Sequence, residues 1–138
     1  MACRRPRAAW RPPVSIDRTA RPHPRGARYE RLAECYLREH GLQLVTRNHR
    51  CRGGEIDLIM RDGATLVFVE VRYRRASRFG DALASIDARK QARIVTAAQD
   101  FLVTHPGYAN SPCRFDVIAL GGSMRAPSCD WIAGAFSA

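Results

Sequence analysis

The sequence predicts an α/β fold in which helices cover the faces of a mixed sheet. Two segments repeat apolar residues at helical spacing, four segments are rich in strand-forming residues, and one helical segment lies between strands. Strands on both sides of a helix favour a sheet packed under helices. A chain of 138 residues has room for one such domain, which we place at residues 26–138.

The first 25 residues differ in composition from the rest of the chain. They contain five prolines and seven arginines, with Asp17 as the single acidic residue. Such a segment buries too little apolar surface to order itself, so we predict a disordered basic arm at residues 1–25. Two interpretations of this arm stay open, namely non-specific contact with phosphates and a dispensable extension.

The charge of the chain predicts an anionic partner. The formal net charge is +10, and nucleic acid is the commonest partner of a small basic protein. Of the 23 Lys and Arg residues, Lys90 is the one lysine and the other 22 are arginines, a bias typical of genomic base composition. The net positive charge itself does not depend on that bias.

The location of the protein is predicted from two absences in the sequence. No apolar run is long enough to span a membrane or resembles a secretory signal. The five cysteines include no CxxC pair, which argues against both a disulfide framework and a zinc site. We therefore expect a cytoplasmic protein with no membrane partner.

The first helix is predicted over residues 27–40 and ends at Gly41. Its apolar stripe consists of Tyr29, Leu32, Ala33, Tyr36 and Leu37. Glu30 lies on the flank of this stripe, from which it could reach a site at the edge of the core. For Glu34 and Glu39 we expect solvated carboxylates that pair with neighbouring arginines.

Three strands follow the first helix. The first is predicted at residues 42–48, and residues 48–54 form a turn that carries Arg50 and Arg52. The other two form a hairpin over residues 54–75, around Arg61-Asp62-Gly63. An Asp-Gly pair between alternating apolar residues is a strong hairpin signal.

A second helix is predicted from about residue 88 to residue 104, with Asp87 as its N-cap. Its apolar stripe consists of Gln91, Ile94, Val95, Ala98, Phe101 and Leu102, and Lys90 lies at the edge of that stripe near the start of the helix. Residues 114–120 predict a last clear strand. For the remainder, through Phe136, a final strand and a packed tail both stay open.

Charged residues interrupt the two strands of the hairpin. Asp57 lies within the apolar run 56–60, and Glu70 and Arg72 lie within the run 66–73. With a loop of two or four residues, we expect Phe68 to pair with Asp57 and Glu70 with Glu55. Asp57, Glu70 and Arg72 then emerge on one face, whereas a three-residue loop would break this parity.

The spacing leaves two interpretations of these charges open. Buried carboxylates are costly unless they are paired or bind a metal. Mg²⁺ prefers one or two carboxylates together with water and substrate phosphate, and such an ion activates water and neutralises charge on a phosphodiester. The alternative is an ion pair of Glu70 with Arg72 or with Arg74.

The same residues carry a resemblance to a known family. Asp57, followed by a strand with Glu70-x-Arg72, matches the D…(D/E)xK pattern of restriction-endonuclease-like nucleases. More narrowly, the chain resembles the YraN-like family of predicted endonucleases, which is similar to archaeal Holliday-junction resolvases. The resemblance covers about residues 26–136, and its specific parts are GEIDLI at 54–59, LVFVEV at 66–71 and RFDV at 114–117.

This resemblance implies an αβββαβ nuclease core that uses Mg²⁺ or Mn²⁺. The implied metal ligands are Asp57, Glu70 and the backbone carbonyl of Val71, with Glu30 as an acidic helper from the first helix. The implied accessory groups are Lys90 and Gln91 from the second helix, together with Arg74. We assign the nucleic-acid contacts to Arg50, Arg52, Arg74 and Arg75.

The chain departs from the family pattern at two positions. Tyr29 stands where the family usually has Gly, and Arg72 stands where it has the Lys of ExK. Arg stays protonated, so Arg72 can stabilise the charge of the phosphorane but cannot act as a base. We therefore expect a metal-dependent endonuclease acting on structured or branched DNA. The alternative is a weak or inactive nucleic-acid-binding protein on a nuclease scaffold, and a homodimer is the expected assembly of a resolvase.

Overall fold

The computed structural model describes residues 3–4, 8–9, 25–73, 86–123 and 125–138. Its elements in chain order are β1 (Cys3–Arg4), β2 (Ala8–Ala9), α1 (Arg25–Glu39), β3 (Gln43–Cys51), β4 (Gly54–Asp62), β5 (Thr65–Tyr73), α2 (Ala88–Thr104), a 3₁₀ turn (Pro106–Tyr108), β6 (Cys113–Gly122) and β7 (Pro127–Phe136).

The strands form one mixed sheet in the order β1-β7-β6-β5-β4-β3, and β2 also pairs with β7. β5 and β6 are parallel, while the other neighbours are antiparallel. Parallel neighbours need a crossover connection, and α2 lies between β5 and β6 in the chain. The predicted α/β class with a mixed sheet is confirmed, and its five long strands and two helices are compatible with an αβββαβ core. The last strand, β7, occupies the segment that the sequence left open.

Each helix covers one face of the sheet. On the face of α1, the buried core consists of Leu32, Ala33, Tyr36, Leu37, Leu42, Leu58, Met60, Val67, Val69, Ile118, Leu120, Cys129 and Trp131. On the face of α2, it consists of Ile56, Ile59, Leu66, Phe68, Ile86, Ile94, Ala97, Ala98, Phe101, Phe115, Val117 and Ile132. Both predicted apolar stripes face these cores, as their helical spacing requires.

The predicted bounds of α2 are confirmed at both ends. The side chain of Asp87 caps the helix by accepting a hydrogen bond from the backbone N–H of Lys90 at 2.8 Å. The turn between β3 and β4 packs directly on this helix. A Cβ added at Gly54 would overlap the backbone carbonyl of Arg93, so glycine is required for this approach.

Two strand predictions were wrong in detail. β3 continues to Cys51, so Arg50 lies on a strand and only Arg52 lies in the turn. The hairpin loop is Gly63-Ala64, because Asp62 still pairs with Thr65 and Gly63 takes up the positive φ of 60° that a two-residue loop needs.

The loop has an even length, but the hairpin register differs from the expected one by two residues. Phe68 pairs with Ile59, not with Asp57. The ladder runs from Asp62–Thr65 to Leu58–Val69, so its next position would set Asp57 level with Glu70. The shift moves the two carboxylates closer together than the sequence predicted.

The prediction that Glu34 is solvated was also wrong. Glu34 is 6% exposed and accepts two hydrogen bonds from Arg47 of β3, at 2.7 and 3.1 Å. The expected arginine partner is present, but it comes from the sheet and holds the carboxylate under α1. A buried carboxylate is tolerated there because the pairing is bidentate.

Several predictions fall on residues that the structure does not describe. Of the arm at residues 1–25, it describes β1, β2 and the start of α1, so the predicted disorder stays a prediction. Arg74 and Arg75 also lie outside the described residues. Within the described part, no helix is long and apolar enough to cross a membrane.

Candidate active site

The edge strand β3 changes its facing pattern beside Asp57. The side chain of Arg47 pairs with α1, whereas that of His49, two residues later, bonds to Asp100 of α2 at 2.9 Å. Regular alternation would put both on one face. Asn48 stands between them with φ 51°, and it is the one non-glycine residue with positive φ in the described part of the chain. Asn tolerates this left-handed conformation better than most residues, so it allows the strand to turn over.

The neighbouring strand β4 changes face at the same level. Ile56 packs in the core under α2, whereas Leu58 packs in the core under α1. Asp57 lies between them, beyond the last pair of the β4–β5 ladder. The backbone N–H of Val71 therefore donates to Oδ2 of Asp57, at 2.9 Å. This irregularity places the Asp57 carboxyl group beside the backbone of Val71, at the half-buried C-terminal end of β5.

The structure brings Asp57 and Glu70 together. Glu70 is 4% exposed, Asp57 is half-buried, and their carboxyl groups lie close enough for each to shift the pKa of the other. Burial raises the pKa of both groups, and the charge of Asp57 adds to this at Glu70, whose pKa rises to about 7. Two carboxyl groups held this close favour a proton on one of them, so a cation that binds both has to displace that proton.

Two cations flank Glu70. The Nε atom of Arg72 lies 3.3 Å and the Nζ atom of Lys90 lies 3.4 Å from the same oxygen, Oε1. The attraction of Lys90 lowers the pKa of both Asp57 and Glu70 against the stronger effect of burial. The Nε atom of Arg72 is buried, and among the described residues the ion pair with Glu70 is the one contact that the structure gives it, without a hydrogen bond. Both interpretations that the sequence left open are compatible with this geometry. Asp57 beside Glu70 fits a metal site, and Arg72 beside Glu70 fits an ion pair.

Glu30 reaches the site from α1. Burial, and then the charge of Asp57, raise the pKa of Glu30 to about 6, while a hydrogen bond with Asn48 lowers it. The start of α1 is held by Tyr29, whose ring stacks on that of Tyr73 with 4.0 Å between centroids. Tyr29, one of the departures from the family pattern, therefore anchors the helix turn that carries Glu30.

Other predicted residues lie further from the carboxyl pair. The side chain of Gln91 donates to the backbone carbonyl of Ile86 at 3.1 Å, so it supports the start of α2. Arg50 is exposed and pairs with Glu55 at 3.4 Å, and Arg52 is exposed in the turn. At Val71, the group that the structure shows in contact with the site is the N–H, a hydrogen-bond donor.

Sequence reasoning missed the site roles of Asn48 and Glu55. The charge of Glu55 raises the pKa of both Glu30 and Asp57, although the side chain is half exposed. Asn48 has the left-handed backbone conformation at which β3 changes face, and its side chain hydrogen-bonds with Glu30. Its signal in the sequence was an Asn inside a strand-like run, where Asn is disfavoured unless the backbone is irregular.

Another buried carboxylate, Asp116, lies on β6. It is 0% exposed and accepts four hydrogen bonds, two from Arg114 at 2.8 and 3.0 Å, one from the indole of Trp131 at 2.9 Å and one from the N–H of Gly134 at 3.0 Å. The β6–β7 register shifts at this position. Because its acceptor sites are filled, Asp116 joins two strands and offers nothing to a ligand.

The donor atoms of the carboxyl pair fit a hard divalent cation. Within the described ranges no three His, Cys, Asp or Glu side chains gather into a metal cluster. Mg²⁺ and Mn²⁺ do not require such a cluster, because one or two carboxylates suffice when water and substrate phosphate complete the shell. Within the described residues few hydrogen-bond donors reach the oxygens of Asp57 and Glu70, so these oxygens can accept a cation.

The fold and this centre define a mixed α/β protein with a half-buried and a buried carboxyl group side by side. The chain belongs to the uncharacterised protein family UPF0102, whose model matches residues 29–120 and so includes Glu30, Asp57, Glu70 and Lys90.

Similar proteins support this membership. A UPF0102 protein of Xanthomonas campestris pv. campestris is 54% identical over 112 residues, which cover 81% of this chain and 90% of that protein. A UPF0102 protein of Nitrosococcus oceani is 51% identical over 112 residues, with the same coverage of 81% and 90%. One of Stutzerimonas stutzeri is 50% identical over 111 residues, covering 80% of this chain and 92% of its own length.

Proposed function

We propose that this protein is an endonuclease that hydrolyses phosphodiester bonds of DNA with Mg²⁺ or Mn²⁺. The observation that carries the proposal is the carboxyl pair of the half-buried Asp57 and the buried Glu70, which lie beside each other and are flanked by Lys90 and Arg72. A chain with a net charge of +10 attracts a polyanion to such a centre.

Asp57 and Glu70 would hold the cation, which supplies Lewis-acid activation of water and neutralises phosphate charge. Hydrolysis consumes one water: its oxygen forms the new bond to phosphorus, the bridging P–O bond breaks, and the departing oxygen gains a proton. The two carboxylates orient the water, and Glu30 assists from α1. Arg72 takes no proton from the water, because a guanidinium stays protonated.

Nucleic acid would approach over the exposed arginines near the site. Arg50 and Arg52 lie on β3 and in the following turn, and both are exposed. Contacts from arginines to phosphates position a duplex without reading its sequence. We propose structured or branched DNA as the substrate and a homodimer as the working unit, because symmetric cleavage of a junction needs two sites. The four cysteines whose side chains the structure describes form no disulfide, which supports a cytoplasmic location.

The test is cleavage of supercoiled plasmid and of a four-way junction by purified protein with Mn²⁺. We expect Glu70→Gln and Asp57→Asn to lose about 10³-fold or more of the single-turnover rate, as losses of catalytic groups do. Glu39→Gln, on the far end of α1, serves as the matched control and should cleave like the wild type. If Glu70→Gln shows the same nicking as the wild type, the proposed catalysis by this pair is wrong.

A second candidate function rests on Arg72, which replaces the expected lysine. In this case the protein binds nucleic acid on a nuclease scaffold without cleaving it. Binding would then be independent of metal, and its log–log salt dependence would have a slope of roughly 0.9 per phosphate contact. Salt-sensitive binding without cleavage, together with cleavage gained by Arg72→Lys, would select this function.

A further inference from the structure

Lys90 is the one lysine among 23 Lys and Arg residues. Its Nζ atom lies 3.4 Å from Oε1 of Glu70. Every other cationic side chain in the sequence is an arginine, including Arg72 beside the same oxygen. The one lysine ammonium group of the chain therefore lies at the carboxyl pair, where its shape and its donors differ from those of a guanidinium.

The position of Lys90 is set by packed elements. The N-cap bond from Lys90 N–H to Asp87 and the bond from Gln91 to the Ile86 carbonyl fix the first turn of α2. One turn later, the helix backbone is pressed against Gly54 of the β3–β4 turn. A helix held at its cap and along its side delivers the ammonium to a defined place, as an active site requires.

The two cations relate differently to the carboxyl pair. Lys90 acts electrostatically on both Asp57 and Glu70, whereas Arg72 meets Glu70 through Nε, the inner nitrogen of its fork. The Lys90 side chain is 29% exposed, so part of it stays open to a ligand. An ammonium is compact and can direct its three donors to several oxygens, while a guanidinium is a planar fork.

We propose that Lys90 is the catalytic lysine of this site, where its ammonium contacts the scissile phosphate, and that Arg72 instead holds Glu70 in place. The inference rests on the proposed nuclease function and assigns the lysine role to α2 instead of to the strand position 72. In the reaction, the ammonium stabilises the negative charge that builds on the phosphate oxygens as water adds. It donates hydrogen bonds throughout and transfers no proton.

The first test is single-turnover cleavage with Mn²⁺ at saturating DNA. We expect Lys90→Gln to lose about 10²–10³-fold, and Lys90→Arg to lose about 10²-fold although it keeps the charge, because the fork cannot reproduce the contact. Arg72→Lys should lose less than about 10-fold, since an ammonium can still hold Glu70. Arg89→Gln, the adjacent exposed arginine, is the control and should keep the wild-type rate. A wild-type rate in Lys90→Arg would overturn the proposal.

The second test is metal-free and does not depend on activity. DNA affinity is measured in EDTA at several NaCl concentrations, after circular dichroism and urea unfolding have shown that each variant is folded. A contact from Lys90 to phosphate predicts that Lys90→Gln lowers the log–log slope by about 0.9, whereas Lys90→Arg leaves it unchanged. An unchanged slope and affinity in Lys90→Gln would mean that Lys90 serves only as a partner of Glu70, which overturns the proposal.

The two proposals fail in distinguishable ways. If the wild type cleaves no better than Glu70→Gln, the nuclease function is wrong, and the slope measurement alone decides whether Lys90 contacts phosphate. If the wild type cleaves and Lys90→Arg cleaves equally well, the nuclease function stands and the assignment of Lys90 falls.

Discussion

Asp116 and Glu70 are buried carboxylates of one sheet, and Asp57 beside Glu70 is half-buried, but the surroundings of Asp116 and of the pair differ. Asp116 has four hydrogen-bond donors within 3.0 Å, from a guanidinium, an indole and a backbone N–H. The pair has the N–H of Val71 at 2.9 Å and two cations at 3.3 and 3.4 Å, and burial raises the pKa of both of its carboxyl groups. The hydrogen bonds of Asp116 fill its acceptor sites and join two strands. The oxygens of the pair accept fewer bonds and can still contact a ligand.

This difference teaches that burial of a carboxylate does not by itself identify a functional site. The useful sign is burial without enough donors, because such a group pays for desolvation and shifts its pKa toward the neutral form. Asp116 lies in the RFDV segment that carried part of the family resemblance, yet its bonds explain it as a fold element. The same resemblance at GEIDLI and FVEV covers the pair.

The largest effect on stability is expected at Asp116. Asp116→Ala leaves Arg114, the Trp131 indole and the Gly134 N–H without their acceptor, so we expect a loss of about 3–5 kcal/mol in the free energy of unfolding. Asp62→Ala is the control, because Asp62 bonds to the same arginine from a half-exposed position. It should cost no more than about 1 kcal/mol. Urea unfolding measures both, and equal losses would mean that Asp116 is not the main acceptor.

At Glu70 we expect a substitution to raise the free energy of unfolding, whereas at Asp116 we expect a substitution to lower it. The folded pKa of about 7 lies above the ordinary value of 4.5, so between these values the folded protein binds more protons than the unfolded chain. Stability therefore falls as pH rises from about 4.5 to about 7 and stays level above that. Glu70→Gln removes the ionisation, and we expect it to stabilise the protein at pH 8 by on the order of 1–3 kcal/mol.

The matching measurement is the free energy of unfolding from urea titrations at pH 5, 6, 7 and 8. The difference between Glu70→Gln and the wild type should grow over this range. If Glu70→Gln and the wild type have the same free energy of unfolding at pH 8, the Glu70 carboxyl group is as well satisfied as that of Asp116. The contrast between the two carboxyl groups would then be wrong.

A smaller effect is expected at Asn48, where the backbone turns over beside the pair. Asn48→Ala puts a less tolerant residue at φ 51° and removes the hydrogen bond to Glu30, so we expect a loss of about 1–2 kcal/mol. Asn48→Gly keeps the conformation accessible and should lose less. In both variants the pKa of Glu30 should rise above about 6, which carboxyl-detected NMR titration measures. A pKa that stays unchanged would remove Asn48 from the site.

Much of the fold was accessible from the sequence because its signals are local. The helix α2 was predicted with its N-cap, since Asp87 lies just before an apolar stripe. The hairpin was predicted from Asp62-Gly63, but its register was not, because the loop lies one residue later than expected and only the pairing of strands reveals this. The bidentate bond of Glu34 to Arg47 was missed for a similar reason, since it joins elements that local spacing does not relate.

The residues of the candidate site were predictable from the sequence, but the cations and hydrogen-bond donors around each carboxyl group were not. Charges inside apolar strands pointed to Asp57, Glu70 and Arg72. That Lys90 reaches the same oxygen depends on how α2 crosses the sheet, which follows from the packing at Gly54. Whether a carboxylate is satisfied, as Asp116 is, depends on donors from three strand positions that no short motif records together.

The most direct test of the central claim is calorimetric titration of Mn²⁺ into the protein without nucleic acid. We expect binding at pH 8 that weakens as pH falls through about 7, because the cation must displace the proton held by the pair. Glu70→Gln and Asp57→Asn should lose most of this binding, while Glu39→Gln keeps it. Mn²⁺ binding that is equally strong in Asp57→Asn, Glu70→Gln and the wild type would contradict the account.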